Sequence, residues 1–169
     1  MEINVSQLLQ EPVGATRRWD IDDEMSSPPD GSTRRFTGEC RLLHTRFGIL
    51  TSCDLGTVID LECNRCLSAF HHPLRVRFEE EFVPTVDVTT GVRLEPSGDE
   101  SQFTIDQHHV IDIRDAVRQY LLMALPLKPL CSEACAGLCP SCGHNLNEGP
   151  CGCPPQDIDS RRGRLNNLS

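Results

Sequence analysis

Near the C-terminal end of this 169-residue chain, four cysteines fall within the run CPSCGHNLNEGPCGC: Cys139, Cys142, Cys151 and Cys153. A C-x2-C pair turns two sulfurs toward one point, and a second close pair completes the four soft ligands that a tetrahedral Zn²⁺ ion takes. Gly143, Gly149 and Gly152 supply the backbone freedom that such tight turns need. Large apolar side chains between positions 131 and 153 are essentially Leu138 and Leu146. Burial is worth only about 1.5–3 kcal/mol for each, too little to order the segment. A structural zinc site in a small finger peptide contributes roughly 10–16 kcal/mol. The segment is therefore expected to fold on a metal, in a closed structural site and not an open catalytic one.

The remaining cysteines follow from compartment. The N-terminal run MEINVSQLLQEP has no basic region and no continuous apolar stretch, and nowhere do 18 apolar residues follow one another. A cytoplasmic protein without a membrane segment is expected, and in a reducing cytoplasm ten cysteines point to metal ligation before disulfides. Cys63 and Cys66 form a second C-x2-C pair, with Cys131 and Cys135 as its natural partners. Exchanges stay open: Cys135 could join the later set, and His71, His72 or His144 could replace a cysteine. One or two zinc ions are expected. Four thiolates and one Zn²⁺ add −2 per site, so two filled sites take the formal charge from −9 to −13. Cys40 and Cys53 lie in strand-like segments and read as small buried apolar residues. The same C-x2-C pairs could instead serve a thiol redox sensor, since a thiolate is nucleophile and ligand alike.

Outside the cysteines the pattern is α+β. Residues 36–47 and 49–53 read as strands separated by Gly48, and residues 1–33 as a short packed element followed by a Pro- and Asp-rich loop. Thr57, Ile59, Leu61 and Cys63 share one face of a strand. Leu74, Val76, Phe78 and Phe82 share one face of the next, opposite Arg75, Arg77, Glu79 and Glu81. The pair Cys63 and Cys66 then sits at a hairpin tip. Residues 84–102 read as a mobile acidic loop, and 103–105 as a short strand. Ile113, Ala116, Val117, Tyr120, Leu121 and Ala124 recur at helical spacing, with Asp112 placed to cap the first turn and Pro126 to end the helix. The fold expected is an antiparallel β meander packed with one main helix, plus a small C-terminal zinc-binding segment. In domain terms this gives an α+β core over 1–130, a cysteine-rich segment over 131–153 packed on it, and a flexible tail over 154–169.

The formal charge of −9 argues against indiscriminate nucleic-acid binding, yet its distribution is uneven. Residues 34–77 carry seven arginines against four acids, and residues 78–115 ten acids against two arginines. A basic face beside an acidic one suits a protein placed between RNA and basic proteins. No glycine-rich phosphate loop is present, and His71, His72, His108 and His109 lack a spaced nucleophile or carboxylate partner. Neither an enzyme nor a small-molecule substrate is expected. A zinc-ribbon interaction module is the other non-catalytic reading.

Three motifs in order, LECNRCLSAF, the helix ending LLMALPLKPLC, and CAGLCPSCGHNLNEGPCGC, together resemble the YceD-like family, with the likeness running from about Ile3 to Cys153. The resemblance implies a non-enzymatic factor tied to accumulation of large-subunit ribosomal RNA, and hence to ribosome assembly, in bacteria and plant organelles. Family members are commonly encoded beside a large-subunit ribosomal protein. Some relatives lack the C-terminal cysteines, which puts the C-x-R-C pair and the LP segment nearer the family's function. It also makes Arg65, between Cys63 and Cys66, a contact to RNA; its other reading is an exposed arginine satisfying local carbonyls. Arg75 and Arg77 join it as candidate RNA or partner contacts. The partners so implied are pre-ribosomal large-subunit RNA, a basic ribosomal protein, or both.

Overall fold

The computed structural model describes residues 1–94 and 102–154. Its elements are β1 (Glu2–Asn4), α1 (Ser6–Gln10), β2 (Thr16–Ser26), β3 (Thr33–His44), β4 (Ile49–Glu62), β5 (Ala69–Pro84), β6 (Thr104–Ile105), β7 (Val110–Asp112) and α2 (Arg114–Ala124). They divide into two compact units. One comprises Met1–Ile59 with His71–Pro126, the other Asp60–Phe70 with the chain from Leu127 onward. The hairpin tip thus groups with the cysteine-rich segment. The expected flexible tail falls outside the described residues from position 155.

The long strands form because apolar side chains alternate, placing every second residue on one face of a pleated strand. On β4, Ile49, Thr51, Cys53, Leu55, Thr57 and Ile59 are all buried. On β5, Leu74, Val76, Phe78 and Phe82 are buried, while the intervening Arg75, Arg77 and Glu79 are exposed. Phe36, Cys40 and Leu42 do the same for β3. Helix α2 buries Ala116, Val117 and Leu121. The Asp112 carboxylate accepts the first helical N–H, that of Arg114, at 3.0 Å, and the chain turns extended at Leu125 before Pro126.

The antiparallel meander expected from sequence is not what forms. Strands β2 to β5 do follow one another across the sheet, but its full order is β1-β7-β6-β5-β4-β3-β2. Strand β6 runs parallel to β5 through Val83↔Thr104 and Pro84↔Ile105, and β1 lies beside β7. A parallel neighbour needs a long crossover where a hairpin needs a short turn, and the connection between Pro84 and Thr104 provides one. The two outer strands also approach each other. The Met1 ammonium, one residue before β1, pairs with Asp23 of β2 at 2.9 Å, and Arg17 of β2 donates to Gln7 of α1 at 2.9 Å. The sheet is a nearly closed barrel, as the twist of long strands curls its two ends toward each other.

Two further observations belong to this unit. Cys40 and Cys53 are direct partners across β3 and β4 and are joined by a disulfide with Cα atoms 4.1 Å apart. They are buried, as small apolar residues would be, but the pairing depends on a strand register that spacing alone does not reveal. In the loop after β5, Val86 and Arg93 bridge, and the Asp87 carboxylate accepts the N–H groups of Thr89 and Thr90 at 3.0 and 2.7 Å. The described part of the expected mobile loop is therefore a built turn; positions 95–101 lie outside the described residues. No helix among the described residues is long and apolar enough to cross a membrane.

Candidate metal centre

The second unit is built on a turn between β4 and β5. Cys63 N–H donates to the Ser68 carbonyl at 3.0 Å, closing the hairpin tip, and Leu67 N–H donates back to the Cys63 carbonyl at 2.9 Å. The Arg65 N–H points at Cys63 Sγ, 3.5 Å away. This is a metal-knuckle arrangement, in which backbone amides converge on a sulfur that can carry negative charge. The stiff LPLKPL segment docks on it: Asn64 N–H donates to the Pro129 carbonyl at 2.9 Å. Docking brings Cys131 and Cys135 to the knuckle. Cys63 Sγ lies 3.7 Å from Cys135 Sγ, and Cys66 Sγ 3.7 Å from Cys131 Sγ. Phe70, Leu130 and Leu138 pack against the buried Cys63, Cys66 and Cys135.

The second knuckle repeats the first. Gly143 N–H donates to the Cys139 carbonyl at 2.8 Å, as Leu67 does to Cys63, and Cys139 N–H donates to the His144 carbonyl at 2.8 Å. Gly143 holds the left-handed φ of +74° that this turn demands. The eight thiols thus fall into two sets, Cys63 with Cys66, Cys131 and Cys135, and Cys139 with Cys142, Cys151 and Cys153, each with sulfurs within 4.8 Å of one another. Four sulfurs on a tetrahedron around an ion at about 2.3 Å stand about 3.8 Å apart, so the donor set and its spacing fit a tetrahedral divalent ion. Cys135 sits with the first set, and no histidine belongs to either.

Charge crowding sorts the thiols. In the first set, Cys63 is drawn down to about 6, chiefly by the backbone N–H of Cys131, and Cys66 is lowered by the Ser68 hydroxyl. Cys131, facing the sulfur of Cys135, is pushed up to about 12. In the second set Cys139 is drawn down to about 6 by the Cys142 N–H, and Cys153 is pushed up to about 12 against Cys142. Neighbouring sulfurs cannot all ionise without a cation between them. Each set is consequently a site whose remaining protons a divalent metal would displace.

The candidate RNA or partner contacts are Arg65, Arg75 and Arg77. Arg65 turns one guanidinium nitrogen onto the Cys135 carbonyl at 3.0 Å, and a side chain at Gly137 would come within 3.2 Å of the Arg65 carbonyl. Its local-carbonyl reading therefore describes at least part of what it does. Arg75 and Arg77 lie in the first unit, about two-thirds exposed, both bonded to Asp54 at 3.1 and 3.0 Å. With Tyr120, Met123 and Ala124 they line a groove of about 420 Å³. Spacing missed Asn147, whose Nδ2 donates to Cys135 Sγ at 3.3 Å. The polar run NLN inside a cysteine loop is the only trace of it in the sequence.

Comparison with known proteins identifies the family of the chain. A plant relative, the "Large ribosomal RNA subunit accumulation protein YCED homolog 1, chloroplastic" of Arabidopsis thaliana, is 36% identical over 58 residues, 34% of this chain and 18% of its own length. An uncharacterised protein of Mycobacterium tuberculosis is 30% identical over 118 residues, covering 70% of this chain and 54% of its own. One from Mycobacterium leprae is 29% identical over 107 residues, 63% and 46% of the two chains. The aligned part is about half, or less, of each of these relatives. No solved structure matches. A family profile described as "YceD: Large ribosomal RNA subunit accumulation protein YceD" matches residues 51–169, more than half of the chain and all eight clustered thiols. The chain belongs to the YceD family of large ribosomal RNA subunit accumulation proteins, whose members are non-catalytic accessory factors.

Proposed function

We propose that this chain is a zinc-stabilised, non-enzymatic factor of the cytoplasm that supports accumulation of large-subunit ribosomal RNA and thereby ribosome assembly. The observation that carries the reading is the presence, in a chain of this family, of two four-thiol sets in one small unit. Zinc is favoured among metals because four thiolates in tetrahedral spacing suit it and leave no open coordination position for chemistry. The energetics agree. The apolar side chains packed on the first set, Phe70, Leu130 and Leu138, supply only a few kcal/mol at about 1.5–3 each. A structural zinc contributes roughly 10–16 kcal/mol, as much as a whole domain's net stability of about 5–15. Metal thus decides whether the unit folds.

Contact with a pre-ribosomal particle is assigned to the exposed Arg75 and Arg77, beside the Tyr120 groove, and to the outward part of Arg65 for RNA, with the acidic regions left for a basic ribosomal protein. The test is sedimentation of cell extract with rRNA quantified in each fraction. Depleting the protein is expected to lower large-subunit particles and their rRNA; unchanged particles would overturn the reading. Arg75→Ala with Arg77→Ala should reproduce the depletion without altering metal content.

A further inference from the structure

The loop between Cys142 and Cys151 belongs to the second set, yet its polar side chains serve the first. Leu146 N–H donates to the Gly137 carbonyl at 2.9 Å, and Asn145 bridges Leu138 in antiparallel fashion, so the loop backbone lies along the short connection between Cys135 and Cys139. The Asn147 carboxamide then divides its two ends. Its Oδ1 accepts the Ala136 N–H at 2.8 Å, and its Nδ2 donates to Cys135 Sγ at 3.3 Å and to Asn145 Oδ1 at 2.7 Å. The Ala136 N–H needs an acceptor, which fixes the amide orientation and leaves the N–H end for the sulfur. Asn145 Nδ2 reaches Ser68 Oγ at 3.3 Å, the serine whose hydroxyl lowers Cys66. Two ligands of the first set thus meet groups held or contacted by the loop of the second.

An N–H donated to a metal-bound thiolate fixes the sulfur's direction and spreads its charge, and such outer partners typically change metal affinity by 10–100-fold. Resting on the metal reading above, we propose that Asn147 is a positioning residue for the first metal site, and that the two sites load cooperatively because the second ion holds the loop that delivers it. With the second site filled, the loop is closed and Asn147 stands against Cys135. With it empty, the loop loosens and the first site loses its donor. Linkage makes the effect mutual: the first ion favours the second by the same factor.

The experiment titrates full-length chain with Zn²⁺ against a chromophoric chelator, with Co²⁺ absorption to report four-thiolate ligation. Cys142→Ser with Cys153→Ser leaves the first site alone, and Cys63→Ser with Cys66→Ser leaves the second. Expected in the otherwise intact chain is a loss of about 10–100-fold in first-site affinity on Asn147→Ala. Asn147→Asp keeps the acceptor for Ala136 but offers no N–H to the sulfur, and should lose as much. Either change should add nothing once the second site has been removed. First-site affinity within twofold of the parent in both variants overturns the inference, as does an equal fall at the isolated second site, which would mark Asn147 as a support of its own loop only. A chain that takes up no metal would refute the metal reading itself, whereas two ions bound independently of Asn147 would refute this inference and leave the metal reading standing.

Discussion

The two thiol sets share a knuckle but differ in how far the chain must travel to complete them. The first joins residues 72 and 65 positions apart, Cys63 with Cys135 and Cys66 with Cys131, and three of its cysteines are buried among apolar side chains. The second closes between Cys139 and Cys153, and only Cys139 is buried. Ordering a long loop costs more entropy than a short one, and that cost is recovered only when all the ligands are present. The first set is therefore a clamp between distant segments, the second a local staple. Their turns differ in the same sense. Where the second uses Gly143 at φ +74°, the first uses Leu67 at φ +58°, and that leucine is 58% exposed. The staple follows the less strained route, while the clamp carries a leucine in the left-handed region with its side chain exposed.

The comparison breaks most readily if the clamp is removed. Cys63→Ser with Cys131→Ser is expected to release both the hairpin tip and the chain from Leu127, a loss on the scale of the roughly 10–16 kcal/mol of a structural zinc site. Hydrogen exchange should show protection lost across both segments. Cys142→Ser with Cys153→Ser should deprotect mainly the later segment. Equal loss of protection from both pairs would erase the distinction between clamp and staple.

The first unit offers an internal contrast, because its cross-strand link between Cys40 and Cys53 needs no metal. Cys40→Ala with Cys53→Ala should lower its stability by about 2–4 kcal/mol in denaturant unfolding and leave metal content unchanged. Loss of metal in that variant would mean that the thiol populations of the two units exchange.

A smaller effect separates the two turns. A left-handed φ costs a residue with a Cβ about 1–2 kcal/mol, so Leu67→Gly should stabilise the loaded unit by about 1 kcal/mol, and Gly143→Ala should destabilise it by a similar amount. Thermal unfolding of the metal-loaded chain reads both. If Leu67→Gly stabilises while lowering particle association, the exposed leucine is retained for contact.

In the folded arrangement the thiols contribute to pH-dependent stability with opposite signs at different sulfurs. Cys63 and Cys139, drawn down to about 6 from an ordinary 9, give stability that is full above pH 9 and lost as pH falls through 6. Cys131 and Cys153, pushed up to about 12, give stability that is full below pH 9 and lost as pH rises through 12. Releasing the metal unfolds the unit and returns its thiols to the ordinary range, so thiolate absorbance of metal-free chain should rise in one wave near 9, and Zn²⁺ should bring it to neutral pH or below by displacing the protons. Two separated waves, near 6 and near 12, in metal-free chain would show a unit that stays folded without metal and contradict metal-dependent folding.

Much of this was readable from residues whose interactions are local. Alternation at Leu74, Val76 and Phe78 marks a buried strand face, and the spacing of Ala116, Val117 and Leu121 marks a helix, because both depend on near neighbours in sequence. The division of eight thiols into two sets was also within reach, since C-x2-C turns are local and the stiff LPLKPL segment has few ways to run. The sheet order was not. The parallel pairing of β6, the approach of Met1 to Asp23 and the register that sets Cys40 against Cys53 all arise from distant chain segments. Asn147 escaped for a related reason: an amide serving a sulfur looks in sequence like any loop asparagine.

The most direct test is the native mass of full-length chain purified under reducing conditions, followed by the same measurement after acid release of metal. Expected are two Zn²⁺ per chain, lost together at low pH, with the eight clustered thiols free once the metal is gone. A chain that carries no stoichiometric zinc, or whose clustered cysteines are joined as disulfides, would contradict the claim that metal builds this unit.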